Sequence, residues 1–278
     1  MEIRMKRDSL SLRRAMPQFE YICADSPEEA ACCWREAERE GKIPLWYAGG
    51  YQLLDQIDIY EKEYTLIDIK KLCSFVRLDS DRLYIGAGAT LTQIKDSGLF
   101  PLMGDVVGEI ADHTARCRIT LGGSVYGDGR REAALPLLLC GAEVRTFKEG
   151  YRDERFTGKR LNHGELALMF AIERKYLSLP FIRIRQAGQQ EEGFLSAAAL
   201  RSQEGVRIAI AGEPGPPVRL KEVEDIFESG LTDKETAKLC IGRLKEDILV
   251  GGQDMGRRKQ LLQNTFERIG RWNQGEEI

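Results

Sequence analysis

The residues best placed to do chemistry in this chain are glycines that follow strand-like runs. Ala48-Gly49-Gly50 comes directly after the apolar run Ile43–Tyr47 and before a short helical stretch at about 52–57. Glycine can take φ > 0 and lets a ligand approach the backbone closely. Successive N–H groups in such a turn form a nest for anionic oxygens, reinforced by a following helix N-terminus. A diphosphate is the natural guest, and a plain tight turn is the alternative. Gly122-Gly123 repeats the arrangement after Ile119-Thr120-Leu121, and the hydroxyls of Thr120 and Ser124 can add donors. A third pair, Gly251-Gly252, reads as a loop. Gly86-Ala87-Gly88-Ala89-Thr90-Leu91 begins like a dinucleotide fingerprint. Leu91, however, stands where close strand–helix packing wants Gly or Ala, and the acid at the right distance, Glu109, falls in a helical stretch.

Other chemistries are poorly provided for. His113 and His163 are the only histidines, and neither sits in a signature for a catalytic triad or a multi-histidine metal site. The seven cysteines are an odd number without a C-x-x-C pair. That argues against disulfides, for a reducing cytoplasmic setting, and against zinc or iron–sulfur ligands on this chain. Lys+Arg total 41 and Asp+Glu 44, a net charge of -3 that argues against a nucleic-acid surface. The longest apolar run, about 133–142, contains Pro136 and falls far short of the ~20 residues a membrane span needs. Residues 1–18 are a locally basic lead-in with no apolar signal-peptide core, and read as disordered.

Positioning the glycines requires layered strands and helices. At ~150 residues per domain, 278 residues imply two domains or one large one. Ser26, Pro27 and Glu29 open a helix that runs to Glu40 and stops at Gly41. Strands are expected at Ile43–Tyr47, 65–69, Arg82–Gly86, 118–121, 142–147 and 168–174. Helices are expected at Leu91–Ser97, 103–111 and 132–139. A boundary falls near 177–180. Beyond it come strands at 181–185, 194–200 and 206–211, then helices at 220–228, 233–245 and 254–272. The whole reads as α+β, with the distal helices on one face of a sheet.

Taken together, the glycine segments resemble a known family. Tyr47-Ala48-Gly49-Gly50-Tyr51-Gln52-Leu53-Leu54 resembles the first flavin-binding loop, A-G-G-[TSH]-[DS]-L-[LI], of the molybdenum hydroxylase flavoproteins. Arg116–Ser124, R-C-R-I-T-L-G-G-S, is similar to their second loop, R-N-x-x-T-[IL]-G-G-[NS]. Leu66-Ile67-Asp68-Ile69, Ile85 to Thr92, Leu135-Pro136 and Cys140 to Val144 also match family strings. The resemblance is good over 19–185 and weaker beyond. It implies a two-lobed FAD-binding domain at 19–176 and a smaller α+β C-terminal domain at 177–278.

The resemblance further implies an xanthine dehydrogenase-like, FAD-dependent oxidoreductase subunit. Electrons would reach FAD from a two-cluster iron–sulfur small subunit, served by a molybdopterin-binding large subunit, and leave to NAD+ or another acceptor. By the same resemblance Tyr47, Ala48, Gly49, Gly50, Tyr51, Gln52, Leu53 and Leu54, with Thr120, Leu121, Gly122, Gly123 and Ser124, carry FAD. Ile110 touches the flavin, Leu166 packs near it, and Arg183 matches a position that is often lysine. No side-chain catalyst is required. Three departures stand out: Tyr51 and Gln52 replace a small hydroxyl residue and its polar neighbour, Cys117 replaces Asn, and Ala133 stands where the family often has an acid. They leave open an assembly subunit that has lost FAD. An unrelated nucleotide-binding enzyme, built on Gly86–Leu91, is the third reading.

Overall fold

The computed structural model describes residues 18–53, 57, 62–186, 195–212, 215–229, 231, 233–245, 248 and 255–276. The expectations for the lead-in over 1–17, for Leu54 and most of the 52–57 helix, and for Gly251-Gly252 lie outside them.

The first sheet is parallel: β1 (Gln18–Cys23), β2 (Ile43–Tyr47) and β3 (Glu63–Asp68), ordered β1-β3-β2. Helix α1 (Pro27–Arg39) crosses from β1 to β2. The Glu29 N–H donates to Ser26 Oγ at 3.1 Å, and the Glu29 carboxylate accepts from the Asp25 N–H at 2.7 Å. Gly41, at φ +77°, follows the helix end. Small residues Ala30 and Ala31 let the helix sit on Ile67 and Ile69.

After α2 (Lys70–Cys73) come β4 (Val76–Leu78) and β5 (Arg82–Gly86). Five helices follow: α3 (Leu91–Ser97), α4 (Pro101–Gly108), α5 (His113–Arg116), α6 (Leu121–Tyr126) and α7 (Ala134–Cys140). Then β6 (Glu143–Phe147), β7 (Tyr151–Arg155) and β8 (Leu166–Glu173) complete an antiparallel sheet ordered β4-β5-β8-β6-β7. Every residue of α7 is buried.

The third sheet is antiparallel: β9 (Phe181–Gln186), β10 (Leu195–Ser202), β11 (Gly205–Ala211) and β12 (Val218–Arg219), ordered β12-β11-β10-β9. Its two faces bury alternate residues, as strand geometry dictates. Ala198, Leu200, Ala209 and Ala211 join α7 in the largest core. Ala197, Ala199, Ile208 and Ile210 form a second core with Leu262, Phe266 and Ile269 of α10 (Met255–Gln274). Helix α8 (Lys221–Glu224) packs on β11, and α9 (Asp233–Arg243) packs on α10. The architecture is α+β, as expected.

Two local expectations change. Residues 118–121 are not a strand: Thr120 makes one bridge to Thr90, and α6 begins at once. The Thr120 hydroxyl accepts from the Gly123 N–H at 3.3 Å and caps that helix, while Leu121 and Val125, four apart, bury one face. The helix expected at 103–111 instead starts at Pro101 and ends at Gly108, leaving Ala111 at φ +54°.

Candidate functional site

A cleft of about 560 Å³ opens where β2 ends against the segment between α5 and α6. That size is typical of a ligand site. Ala48, Gly49, Gly50, Tyr51, Gln52 and Leu53 line it from the β2 side, and Thr120, Gly122, Gly123 and Ser124 from the α6 side. The two glycine segments therefore converge. They also touch: the Arg118 guanidinium donates to the Gly49 carbonyl at 3.4 Å and the Gly50 carbonyl at 3.1 Å. The Gln52 amide donates to the Asp128 carbonyl at 2.8 Å, tying the first loop to the 127–131 segment.

Each glycine has its own physical reason. Gly50 has φ +65°. A Cβ at Gly49 would lie 1.6 Å from the Arg118 carbonyl oxygen, and one at Gly122 would lie 3.0 Å from the Ala87 carbonyl oxygen. Gly86 and Gly88, which resemble a dinucleotide fingerprint, are explained the same way. A Cβ at Gly86 would meet the Cys73 carbonyl at 1.9 Å, and one at Gly88 the Cys73 thiol at 2.9 Å. Those glycines serve chain packing beside an antiparallel strand.

Not every expected residue reaches the cleft. Tyr47 does not line it; its ring lies behind Gly50, where a Cβ would come within 2.7 Å of it. Leu121 is fully buried in the core beneath. Ile110 and Leu166 do line the cleft. Arg183 does not; its side chain is 6% exposed and its guanidinium meets Glu109 at 3.0 Å, Glu132 at 3.3 Å and Asp105 at 3.7 Å. Arg185, two residues along the same strand, is the one on the cleft wall, 3.6 Å from both Glu109 and Glu132. Tyr51 is 47% exposed and stands at the solvent edge without filling the space.

The sequence reading missed several wall residues. Glu132 lines the cleft and is almost fully buried, one position before the alanine where an acid was expected. Arg118 and Arg130 bring positive charge, and Trp34 and Trp46, with ring centroids 4.4 Å apart and planes tilted by 32°, add an aromatic wall. Ala111 and Arg131 are the non-glycine residues with positive φ among those described, and both line the cleft. Backbone strain of this kind collects at functional sites. Arg131 is held there by donating to the carbonyls of Val125 at 2.5 Å and Gly158 at 2.6 Å. Only that clustering, not any local motif, could have marked these positions.

The fold has clear relatives of known structure. The chain aligns over 94% of its length with 98% of a chain in quinoline 2-oxidoreductase from Pseudomonas putida 86, at TM-score 0.76 and 20% identity. It aligns over 91% of its length with 96% of a chain in carbon monoxide dehydrogenase from Hydrogenophaga pseudoflava, at TM-score 0.75 and 17% identity. For a chain in carbon monoxide dehydrogenase from Oligotropha carboxidovorans the figures are 94%, 99%, 0.74 and 17%. Comparison with curated protein sequences finds no match. Residues 17–159 match the family described as the FAD binding domain in molybdopterin dehydrogenase. The chain belongs to that family, and FAD is its cofactor. The cleft fits such a ligand: among the described residues no hydrogen bond uses the N–H of Gly49 or Gly50, and cationic, apolar and aromatic walls surround them.

Proposed function

We propose that this chain is the FAD-binding electron-transfer subunit of a molybdenum hydroxylase complex. In this reading it takes electrons from iron–sulfur clusters on a partner chain and passes them from flavin to NAD+ or another acceptor, with the molybdopterin centre on a large subunit. The observation that carries it is the convergence of both glycine segments on one cleft. FAD, when bound, supplies one- and two-electron transfer. The protein's part is to bind, orient and shield. Gly49 and Gly50 present amide N–H groups to the diphosphate; Ala48, Tyr51, Gln52 and Leu53 shape the loop around them. Thr120, Gly122, Gly123 and Ser124 form the facing wall. Ile110 and Leu166 give apolar contact and exclude water. Arg185, steadied by Glu109 and Glu132, puts a cation on the wall, which favours negative charge developing on a bound ring. Residues 19–176 form the cofactor region in this reading, and 177–278 close it through Arg185.

Isolation of the native protein tests the reading. A yellow protein is expected, releasing FAD on denaturation in a one-to-one ratio and co-purifying with molybdenum- and iron-containing chains whose substrate reduces the flavin. Flavin-bearing protein with no such partners would overturn the electron-transfer role. A colourless protein that co-purifies with the metal-bearing chains would overturn the electron-transfer role as well.

A further inference from the structure

We infer that Cys117, with His113 as its base, is a site of reversible modification by small disulfides, and that the adduct loosens the cofactor cleft. The second half of the inference rests on the reading of that cleft as the FAD site.

His113 opens α5 and Cys117 follows its last residue, so the two side chains lie one helical turn apart on one side. They meet there: Cys117 Sγ is 3.8 Å from His113 Nδ1, and 3.5 Å from the Thr92 hydroxyl of α3. Cys117 and His113 are both exposed, so a bulky reagent can reach the sulfur. The other thiols lack this combination. Burial pushes the Cys73 thiol up to about 11, and those of Cys140 and Cys240 up to about 12. Half-buried Cys33 is also raised, by burial and by the Glu29 and Glu36 carboxylates. Exposed Cys32 meets a carboxylate in place of an imidazole, Glu36 at 3.5 Å. Among the described residues, only the Cys117 sulfur has an imidazole against it.

The thiolate is the attacking species in disulfide exchange. In the tautomer protonated at Nε2, His113 Nδ1 takes the thiol proton as Sγ attacks one sulfur of an external disulfide. A new S–S bond joins Cys117 to half of the reagent. The original S–S bond breaks, and the departing sulfur takes the proton from His113. Cys117 is oxidised, one reagent sulfur is reduced to a thiol, and a second thiol can reverse the step.

In sequence Cys117 lies between the two arginines that brace the cleft. Arg116 donates to the carbonyls of Ile110 at 3.5 Å and Ala111 at 2.5 Å. Arg118 donates to those of Gly49 at 3.4 Å and Gly50 at 3.1 Å. All four braced residues line the cleft, and Cys117 does not. A bulky group on Sγ displaces the contacts with Thr92 and His113 and shifts the short segment that carries both arginines. It therefore acts on the cleft from outside, without occupying it.

The test uses the full-length flavin-free protein as wild type, Cys117→Ser and His113→Gln, with oxidised glutathione as the probe. Peptide mass spectrometry follows the adduct at each cysteine over time, with Cys23 and Cys32 as internal references. Cys117 is expected to react about tenfold or more faster than either, and His113→Gln to remove that advantage. FAD is then titrated by flavin fluorescence before and after treatment. The wild-type adduct is expected to bind FAD at least about fivefold more weakly, the lower end of ordinary coupling between two sites. Dithiothreitol restores the affinity, and treated Cys117→Ser keeps it throughout. Equal rates at the three exposed cysteines, or an unchanged Cys117 rate in His113→Gln, would overturn the modification site. A wild-type adduct with undiminished FAD affinity would overturn the control of the cleft. Untreated wild-type protein that binds no FAD would overturn the cofactor reading and the control with it, while fast exchange at Cys117 would still establish the modification site.

Discussion

The side chain of Arg118 donates to the Gly50 carbonyl across 68 residues of chain, while its own carbonyl oxygen abuts the α-carbon of Gly49. The two glycine segments are thus one folded unit before any ligand enters. Gly49 is the tightest point, because both partners are backbone and neither can swing aside. Gly49→Ala is expected to cost about 3 kcal/mol, the upper range for overpacking a close contact. Thermal melting of the flavin-free protein would show it as a clear drop in midpoint, and the purified variant would carry little flavin. An alanine variant that melts like wild type and retains full flavin would contradict this account of the site.

Glu132 and Arg183 are the most buried ion pair near the cleft, with side chains 4% and 6% exposed. Removing one member of a buried pair leaves the other uncompensated, a loss that typically reaches ~3–5 kcal/mol. Arg183 keeps Glu109 and Asp105 as partners, so Glu132→Gln is expected to cost less, about 2 kcal/mol. The pair joins the cleft-forming segment to β9. Urea unfolding of Glu132→Gln, Arg183→Met and the double variant measures the coupling. Strict additivity of the two single losses would show that the pair does not hold these elements together.

Much of this was legible from the residues, and the failures have physical causes. Ser26 with Pro27 is a local capping signal, and α1 starts where it says; α3 covers the expected Leu91–Ser97, with Thr90 capping it in the structure. The run at 133–142 is buried whichever element it forms, and α7 is wholly buried. Strand β7 was not foreseen because Tyr151–Arg155 is exposed at every position and carries no alternation. Strand β1 escaped for a related reason: Phe19 and Tyr21 share one face, and both are exposed. The segment at Ile119–Leu121 is rich in strand formers, yet the Thr120 hydroxyl turns it into a helix start, a case of capping overriding propensity. Arg118, Glu132 and Arg185 could not be chosen over other charged residues, since their meaning lies in contacts made dozens of residues away.

Ala111 pays for its position. At φ +54° a residue with a Cβ is strained by roughly 1–2 kcal/mol. Arg116 restrains it, donating to the Ala111 carbonyl at 2.5 Å. Glycine would relieve the strain but add about 0.5–1 kcal/mol of unfolded-state entropy. Ala111→Gly is therefore expected to stabilise the flavin-free protein slightly, by about 0.5 kcal/mol. The neighbouring Ile110 would at the same time lose its fixed place on the cleft wall, and FAD would dissociate several-fold faster. Melting temperature and flavin release rate check the two halves separately. A variant that is both less stable and slower to release flavin would show that the conformation is not strained.

Behind the first glycine loop lies a polar cluster whose ionisation should be felt in stability. Asp68 ends β3 with its side chain almost fully buried. Burial pushes its carboxyl up, but the Tyr21 hydroxyl, the Lys70 N–H at 2.8 Å and the Lys70 ammonium at 3.0 Å more than offset this, and the net shift is downward. A carboxylate held below its unfolded value stabilises the fold above that unfolded value. The contribution fades as pH falls from the ordinary carboxylate range through the lowered folded value. Lys70 also lies 5.0 Å over the ring of Tyr47, the side chain that backs Gly50, so the cluster supports the loop. Asp68→Asn is expected to melt lower than wild type at pH 7, with the gap narrowing steadily below about pH 4. Melting curves of the two proteins from pH 7 to pH 3 measure that gap directly, and other acidic groups cancel in the difference. A gap that stays constant over the whole range would mean the charge on Asp68 contributes nothing and that its role is packing alone.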